Sequence, residues 1–262
     1  MCTIVVAHRI HPELPLIVAA NRDEFYARAA TAPQLLGRDP RAAGGLDLSS
    51  GGTWMGATER GFFVAITNQR TYLGSEPGLP SRGAIVREAL ERGSRAGVRA
   101  LLGAIDARGF NPFNLVYGDA DGVEVAYARR DDAVVDIEQA PDGMWVLPND
   151  RIGSPEFPKV ARVQALLEGA FAAPWLELRR ALVTALGDHE KPALAALPAL
   201  PEGTPMSAEL VRELHATCIH TESYGTRSST LLGLTRGGIA HYEFADGPPC
   251  RTPFDDVTSL LR

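Results

Sequence analysis

A cysteine stands at position 2 of the chain, in the opening stretch MCTIVVAH. If Met1 is removed, Cys2 carries a free α-amine on the same residue as its thiol. A thiol attacks as the thiolate, and an ordinary thiol pKa of about 8.5 leaves little thiolate at neutral pH. An α-amine with a pKa of about 7.7–8.0 can accept the thiol proton. Cys2 is therefore a candidate nucleophile with its own base, and the alternative is a buried cysteine near the start of a strand.

A polar cluster, AANRDEF at 19–25, follows directly on the apolar run at 14–20. Polar side chains at the end of a buried strand either enter solvent in a loop or project into the cleft above the sheet. In the second case, Asp23 can hold the ammonium group of Cys2, and the charge of Arg22 can favour its thiolate. Because the two strands are adjacent in sequence and expected to pair, we predict that this cluster lies near Cys2.

Trp54 and Asn114 are candidates for substrate binding. Trp54, in GGTWMG, either lines a pocket or joins the core, and Asn114, in FNLVYGD, either faces a cleft or only starts a strand. Cys218 and His220 are two residues apart and share one face of a predicted strand. Two ligands do not make a metal site, so core packing is expected for this pair. The sequence predicts no metal and no cofactor.

The composition disfavours several classes of function. The formal net charge is −6, which argues against binding to nucleic acid or to anionic lipid. No apolar run approaches the length of a membrane span. The three cysteines are an odd, sparse set, which argues against a disulfide framework and suits a reducing compartment. We expect a cytoplasmic protein with a small-molecule substrate or ligand; that this molecule has an apolar part is an expectation from the fold and not from the composition.

Strand patterns come in clusters, and helical patterns come in groups between them. Two hairpins are expected before residue 68, and FNLVYGD, VEVAYAR, AVVDIEQ and GMWVLPN predict a four-stranded antiparallel meander. Three further strands are expected at about 217–220, 228–234 and 239–244. Strict alternation of strand and helix is missing, which argues against a doubly wound parallel sheet. We predict an α+β fold with two antiparallel sheets flanked by helices, forming one domain over residues 1–262.

Several stretches together carry a family resemblance. These are MCT, ANRDE, GGTWMG, TN at 67–68, FNLVYGD, LPND followed by SPEFPKV, and YGTRSSTLL. In this order, over essentially the whole chain, they resemble the NRDE-motif proteins, which form the family of transport and Golgi organisation protein two. The same framework is similar to the cholylglycine hydrolase and penicillin V acylase branch of the N-terminal nucleophile hydrolases. The resemblance implies a four-layer αββα sandwich.

The resemblance also implies catalytic roles. Cys2 would be the nucleophile and, through its amine, the base. Asn68 and Asn149 resemble the two residues of the oxyanion hole, where neutral donors stabilise developing negative charge. Arg227, in YGTRSST, resembles a late arginine beside the nucleophile.

The NRDE stretch departs from the pattern of the hydrolases. Those enzymes usually read Arg-Asn-x-Asp, whereas this chain reads Asn-Arg-Asp-Glu. Arg22 and Asp23 resemble the hydrolase arginine and aspartate, but either Arg22 or Asn21 could fill the place of the arginine. Asn21 is therefore also a candidate for substrate binding.

Two hypotheses of different classes follow from the resemblance. The first is a hydrolase that cleaves a non-peptide carbon–nitrogen bond through a Cys2 acyl-enzyme. The second is a non-catalytic binding or trafficking protein for haem, or for acyl-coenzyme A or another lipid, on the same fold. The family's association with lipid metabolism and haem trafficking favours the second, and the retention of Cys2, an acidic partner and Asn149 favours the first.

Overall fold

Alternating apolar residues form extended strands along most of the chain, and apolar residues at helical spacing form the segments between them. The computed structural model describes residues 2–71, 74–197 and 199–262. Within these ranges the strands and α-helices, in chain order, are β1 (Thr3–His8), β2 (Leu16–Phe25), β3 (Gln34–Arg38), β4 (Arg41–Gly44), β5 (Met55–Thr58), β6 (Phe63–Asn68), α1 (Arg82–Arg92), α2 (Arg95–Gly103), β7 (Phe113–Asp119), β8 (Gly122–Ala128), β9 (Asp136–Gln139), β10 (Gly143–Leu147), α3 (Pro158–Leu166), α4 (Trp175–Leu186), α5 (Ala208–Leu214), β11 (Tyr224–Thr235), β12 (Gly238–Ala245) and β13 (Asp255–Asp256).

The strands form two antiparallel sheets. Over the described residues, one sheet has six strands in the order β10-β1-β2-β11-β12-β13. The other has seven strands in the order β3-β4-β5-β6-β7-β8-β9, so its neighbours follow the chain order. The longest pairing joins β2 to β11, from Leu16 opposite Leu234 to Phe25 opposite Tyr224.

The two sheets pack face to face, and helices cover their outer faces. Ile4 and Val18 of the first sheet pack with Val116 of the second in the core between the sheets. Helices α1 and α2 bury their apolar faces on the seven-stranded sheet, and α3 and α4 bury theirs on the six-stranded sheet. This arrangement confirms the predicted four-layer αββα sandwich. Among the described helices, none is both long and apolar enough to cross a bilayer.

Two strand predictions near the site need correction. The polar cluster at 21–24 was expected at the end of a strand, but β2 continues through it to Phe25 because β11 supplies hydrogen-bonding partners along its length. Residues 217–220, expected to form a strand, contain only an isolated bridge between His220 and Gly225. Asn21, Arg22 and Asp23 are therefore held inside a sheet and buried.

The predicted four-stranded meander is also wrong in one respect. Strands β7, β8 and β9 pair in sequence, but β10 leaves their sheet and pairs with β1, with Ile4 opposite Leu147. The sequence predicted each strand from its local pattern, whereas the partner of β10 is set by the packing of the two sheets. The crossing brings the residues that follow β10, including Asn149, toward the end of β6.

Candidate active site

Cys2 immediately precedes β1, at one end of the six-stranded sheet. The side chains of Ile4 and Val6 lie between the two sheets. The alternation of side chains along a strand places Cys2 on the same face, where it lines a narrow space together with Arg22 and Trp54. The structure thus brings together three of the residues that the sequence singled out.

The surroundings of Cys2 control its ionisation. Burial raises the pKa of the Cys2 thiol above its usual range, and the negative charge of Asp23 raises it further. The backbone N–H of Asp23 and the positive charge of Arg22 lower the same pKa. Because burial is the largest of these effects, the thiol is mostly protonated at neutral pH and requires a base to become a nucleophile. Met1, whose removal would supply that base, lies outside the described residues.

Asp23 is buried in β2 and held by residues of β11. Its Oδ1 accepts a hydrogen bond from Thr226 Oγ1 at 2.7 Å, and its backbone oxygen accepts one from the Tyr224 hydroxyl at 2.8 Å. Burial raises the pKa of the Asp23 carboxyl group, and the charge of Lys159 lowers it. The carboxylate is therefore fixed, within electrostatic reach of Cys2, by the pairing of two strands that are about 200 residues apart in the chain.

Lys159 is a charged residue of this site that the sequence analysis did not identify. Its side chain is buried, and its Nζ donates to Ala216 O at 3.2 Å and to Leu214 O at 3.4 Å. Burial lowers the pKa of Lys159, and the negative charges of Asp23 and an ionised Cys2 act against this effect. The usable sequence signal was a lysine among the apolar residues of the helical stretch FPKVARV, since a lysine is rarely buried without a partner.

Arg22 faces the space between the sheets. Its guanidinium carbon lies 4.3 Å from the centroid of the Trp54 ring, which is a cation–π geometry. Burial lowers the pKa of Arg22. The Trp54 ring in turn packs closely against Gly45, where an added Cβ would lie 2.2 Å from the Cη2 atom of the ring. A glycine at that position therefore lets Trp54 approach Arg22 and Cys2.

Asn21 points to the opposite face of β2. Its Nδ2 donates to Leu186 O at 2.8 Å and to Thr217 O at 2.9 Å, and its Oδ1 accepts from Ser229 Oγ at 2.6 Å. These bonds join β2 to the end of α4 and to the segment before β11. Of the two candidates for the hydrolase arginine position, Arg22 is the one beside Cys2. Contact of Asn21 with substrate stays a prediction.

Asn149 and Asn68 lie together at a cleft of about 350 Å³. The Nδ2 of Asn149 donates to Asn68 O at 2.6 Å. An amide nitrogen carries two hydrogens, so the second remains available for another acceptor. Asn68 lies at the end of β6, which makes its own backbone and side chain accessible from the cleft. The two predicted oxyanion-hole residues are thus in direct contact with each other.

Asn114 lies beneath this pair and is fully buried. Its Nδ2 donates to Thr67 Oγ1 at 3.0 Å and to Asp150 O at 3.0 Å, and Thr67 Oγ1 donates to Pro148 O at 3.1 Å. These bonds tie the end of β6 to the residues on both sides of Asn149. The structure gives Asn114 a positioning role, and its predicted contact with substrate stays a prediction.

Arg227 lies at a β-bulge, where the pairing of β11 with β2 shifts register. This register places it level with Arg22 and Asp23 on the neighbouring strand. Its guanidinium carbon lies 6.0 Å from the centroid of the Tyr26 ring. The predicted position of Arg227 beside the nucleophile stays a prediction.

The cleft has one apolar wall and one polar wall. The apolar wall comes from α5 and its flank, where Ser207 caps the helix by accepting from Leu210 N at 3.2 Å. The polar wall includes Arg82, a half-buried residue at the start of α1 that donates to Pro112 O at 3.1 Å. Burial lowers the pKa of Arg82, and a negative charge on Cys2 would raise it. Arg82 therefore lies within electrostatic reach of Cys2 as well as lining the cleft. The cleft residues from α5 and its flank are Met206, Leu210, Val211 and Leu214.

Comparison with solved structures defines the class of the fold. A mutant of the conjugated bile acid hydrolase from Clostridium perfringens superposes with a TM-score of 0.56 and 11% identity, covering 100% of this chain and 94% of that one. The Caenorhabditis elegans ortholog of N-acylethanolamine-hydrolyzing acid amidase gives a TM-score of 0.50 and 11% identity, covering 88% of this chain and 92% of that one. The protein therefore has an N-terminal nucleophile hydrolase-like fold.

Sequence comparison identifies the family within this class. The family model described as Transport and Golgi organisation 2 matches residues 1–245. The Transport and Golgi organization protein 2 homolog of Bos taurus is 30% identical over 251 residues, which is 88% of this chain and 85% of the bovine protein. The chain belongs to the Transport and Golgi organisation 2 family, which confirms the resemblance predicted from its motifs.

Proposed function

We propose that this protein is an amidohydrolase that cleaves a non-peptide carbon–nitrogen bond through an acyl-enzyme on Cys2, after removal of Met1. The observation that carries the proposal is the position of Cys2. Its thiol borders the inter-sheet space with Arg22, within electrostatic reach of Asp23 and Arg82. The amide groups of Asn68 and Asn149, at a separate cleft, are neutral donors of the kind that stabilises an oxyanion. The fold shared with a conjugated bile acid hydrolase and an N-acylethanolamine-hydrolyzing acid amidase supports the same chemistry.

In the first half of the reaction, the α-amine of Cys2 accepts the thiol proton, and the sulfur attacks the carbonyl carbon of the substrate. The carbonyl oxygen becomes an oxyanion, which accepts hydrogen bonds from the second N–H of Asn149 and from a donor at Asn68. The carbon–nitrogen bond then breaks, and the leaving nitrogen takes the proton from the ammonium group. The products are a free amine and a thioester on Cys2.

In the second half, a water molecule gives a proton to the amine of Cys2 and attacks the thioester. The carbon–sulfur bond breaks, and the carboxylic acid leaves. Asp23 stabilises the ammonium form of the amine, and Arg22 stabilises the thiolate. The positive charge of Lys159 lowers the pKa of Asp23 against the effect of burial and so favours the carboxylate form.

The apolar residues of α5 suit an acyl or ring-bearing portion of the substrate. Conjugated bile acids and N-acylethanolamines, the substrates in the names of the two structural relatives, combine such a portion with an amide, so they belong in the first substrate panel. Release of amine from this panel would be measured for the wild type and for Cys2→Ala. Turnover in the wild type that is lost in Cys2→Ala is expected, and full turnover in Cys2→Ala would exclude the mechanism.

A matched control separates the amine from the thiol. Insertion of one lysine between Met1 and Cys2 keeps the cysteine but places its nitrogen in a peptide bond. The proposal predicts that this variant is as inactive as Cys2→Ala, although its thiol is present. If the insertion variant turns over substrate at the wild-type rate, the α-amine is not the base.

The apolar cleft also favours the second candidate function, which is ligand binding without turnover. A half-buried thiol with a raised pKa is a poor nucleophile unless its base is present. A wild-type protein with a free Cys2 amine that hydrolyses no amide, yet binds haem or acyl-coenzyme A in the cleft, would support the binding or trafficking function. Loss of that binding in a Leu210→Asp variant would locate it on the apolar wall.

A further inference from the structure

Four side chains with metal-ligating atoms meet on the far side of β2 from the inter-sheet space. His189 follows α4, Cys218 and His220 lie in the segment before β11, and Cys250 follows β12. One ligand atom from each lies within 4.8 Å of the other three. The sequence analysis considered only Cys218 and His220, which are two residues apart, and the fold adds a third and a fourth ligand from distant parts of the chain.

The distances within this cluster match the edges of a tetrahedron around zinc. Bond lengths of about 2.3 Å for Zn–S and 2.0–2.1 Å for Zn–N place two sulfurs about 3.8 Å apart, and a sulfur and a nitrogen about 3.5 Å apart. The Sγ atoms of Cys218 and Cys250 are 3.8 Å apart. The Nε2 of His220 lies 3.6 Å from Cys218 Sγ and 3.4 Å from Cys250 Sγ. Three ligand atoms are therefore already spaced for one ion.

His189 is oriented as a fourth ligand. Its Nδ1 lies 3.1 Å from Cys218 O, so this nitrogen carries the proton and donates to the carbonyl. That tautomer leaves the lone pair of Nε2 for a metal. Metal-bound histidines commonly donate their other ring N–H to a backbone carbonyl in this way. The His189 and His220 rings have their centroids 5.1 Å apart, so the two imidazoles flank the same point.

Hydrogen bonds outside the cluster fix the segments that carry these ligands. Cys218 N donates to Asp188 O at 2.9 Å, which joins the residue before His189 to the segment that carries Cys218. Asn21 Nδ2 bonds the carbonyls of Leu186 and Thr217, which directly flank the same two segments. This network preorganises the cluster and is the kind of support that metal ligands require.

Glu213 lines a surface depression together with His189, Cys218 and His220, but its carboxylate is already paired. Its Oε2 lies 2.6 Å from Lys191 Nζ. The positive charge of Lys191 compensates the charge of this carboxylate, so Glu213 is not counted as a ligand and serves as a matched control for metal binding.

We propose that His189, Cys218, His220 and Cys250 bind one zinc ion tetrahedrally. Two thiolates and two imidazoles form one of the ligand sets that bind structural zinc in proteins, and such tetrahedral sulfur and nitrogen sites favour zinc. Because four protein ligands complete the tetrahedron and leave no open position, the ion is structural: it joins the end of α4 to the segments beside β11 and β12. This inference does not depend on the proposed amide hydrolysis.

The test uses the full chain, purified with reductant, stripped of metal with a chelator and titrated with Co²⁺ and then with Zn²⁺. The wild type should bind one Co²⁺ per chain, with thiolate-to-cobalt charge-transfer absorption and an intense visible band typical of tetrahedral cobalt, and Zn²⁺ should displace it. Cys250→Ser, at an exposed position that folding tolerates, should weaken binding at least about 10- to 100-fold, the loss expected from removing even a supporting contact. His189→Ala should do the same.

Two variants and one mass measurement make the test decisive. Cys2→Ser removes a thiol outside the cluster, and Glu213→Gln changes a neighbour inside the depression, so both should bind Co²⁺ as the wild type does. Binding that is unchanged in Cys250→Ser would overturn the proposal. So would a wild type that binds no Co²⁺, or a persistent Cys218–Cys250 disulfide, seen as a mass loss of about 2 Da despite reductant.

Discussion

Replacement of Asn149 by alanine tests the oxyanion hole. The Nδ2 of Asn149 uses one hydrogen in the 2.6 Å bond to Asn68 O, and the other is the proposed donor to the oxyanion. Removal of one such donor costs about 10²- to 10³-fold in rate, or about 2.7–4 kcal/mol in transition-state stabilisation. The lost hydrogen bond to Asn68 costs about 1 kcal/mol in the free energy of unfolding, which lowers Tm by about 2–4 °C. The variant therefore stays folded at 25 °C while its acylation slows.

The assay compares two reagents on Cys2 by intact mass. Acylation by a β-lactone forms an oxyanion, whereas alkylation by iodoacetamide does not. Asn149→Ala should slow acylation by about 10²- to 10³-fold and leave alkylation nearly unchanged. Gln69→Ala is the matched control, because Gln69 is another amide that lines the cleft but donates to Phe113 O at 3.3 Å. Equal slowing of both reagents, or no slowing of acylation, would refute the role of Asn149.

Three further predictions concern the surroundings of the site. Arg22→Leu removes a charge that lowers the pKa of the Cys2 thiol, so the pH midpoint of Cys2 alkylation should move upward. An unchanged or lower midpoint would contradict the effect of Arg22 on this pKa. Burial lowers the pKa of His215 from 6.5 to about 4, so the unfolded chain binds more protons between these values, and stability should fall as pH drops from about 6.5 toward 4. The loss in the free energy of unfolding should reach at most about 3 kcal/mol. Denaturant unfolding across this pH range should show a flatter pH dependence of stability in His215→Gln than in the wild type. An unchanged pH dependence would exclude His215 as the source of the loss. Asn114→Ala leaves buried acceptors unpaired and should lower the free energy of unfolding by about 2 kcal/mol. It should also slow β-lactone acylation, because Asn149 is no longer held. A variant with the stability and the acylation rate of the wild type would contradict the positioning role of Asn114.

Local patterns predicted much of this fold. Apolar residues at helical spacing predicted α4, and the alternation in FNLVYGD predicted β7. The same patterns, read in order, predicted two antiparallel sheets with helices outside them. These elements are set by which face of a short segment is apolar, and that information is present in neighbouring residues.

Long-range pairing could not be predicted from such patterns. The polar stretch at 21–24 belongs to a strand only because β11 pairs with it from the other end of the chain. Lys159 acquires its place near Asp23 because α3 packs against the same sheet. The ligand cluster forms because the end of α4, the segment before β11 and the end of β12 lie close together. The individual candidates Cys2, Arg22 and Trp54 were visible in the sequence, but their proximity was a property of the fold.

The most direct test of the account is the intact mass of the untagged protein before and after treatment with a β-lactone probe. We predict a mass that lacks Met1 and a single adduct that maps to Cys2. A retained Met1, or an adduct confined to Cys218 or Cys250, would contradict the central claim that Cys2 is a nucleophile activated by its own amine.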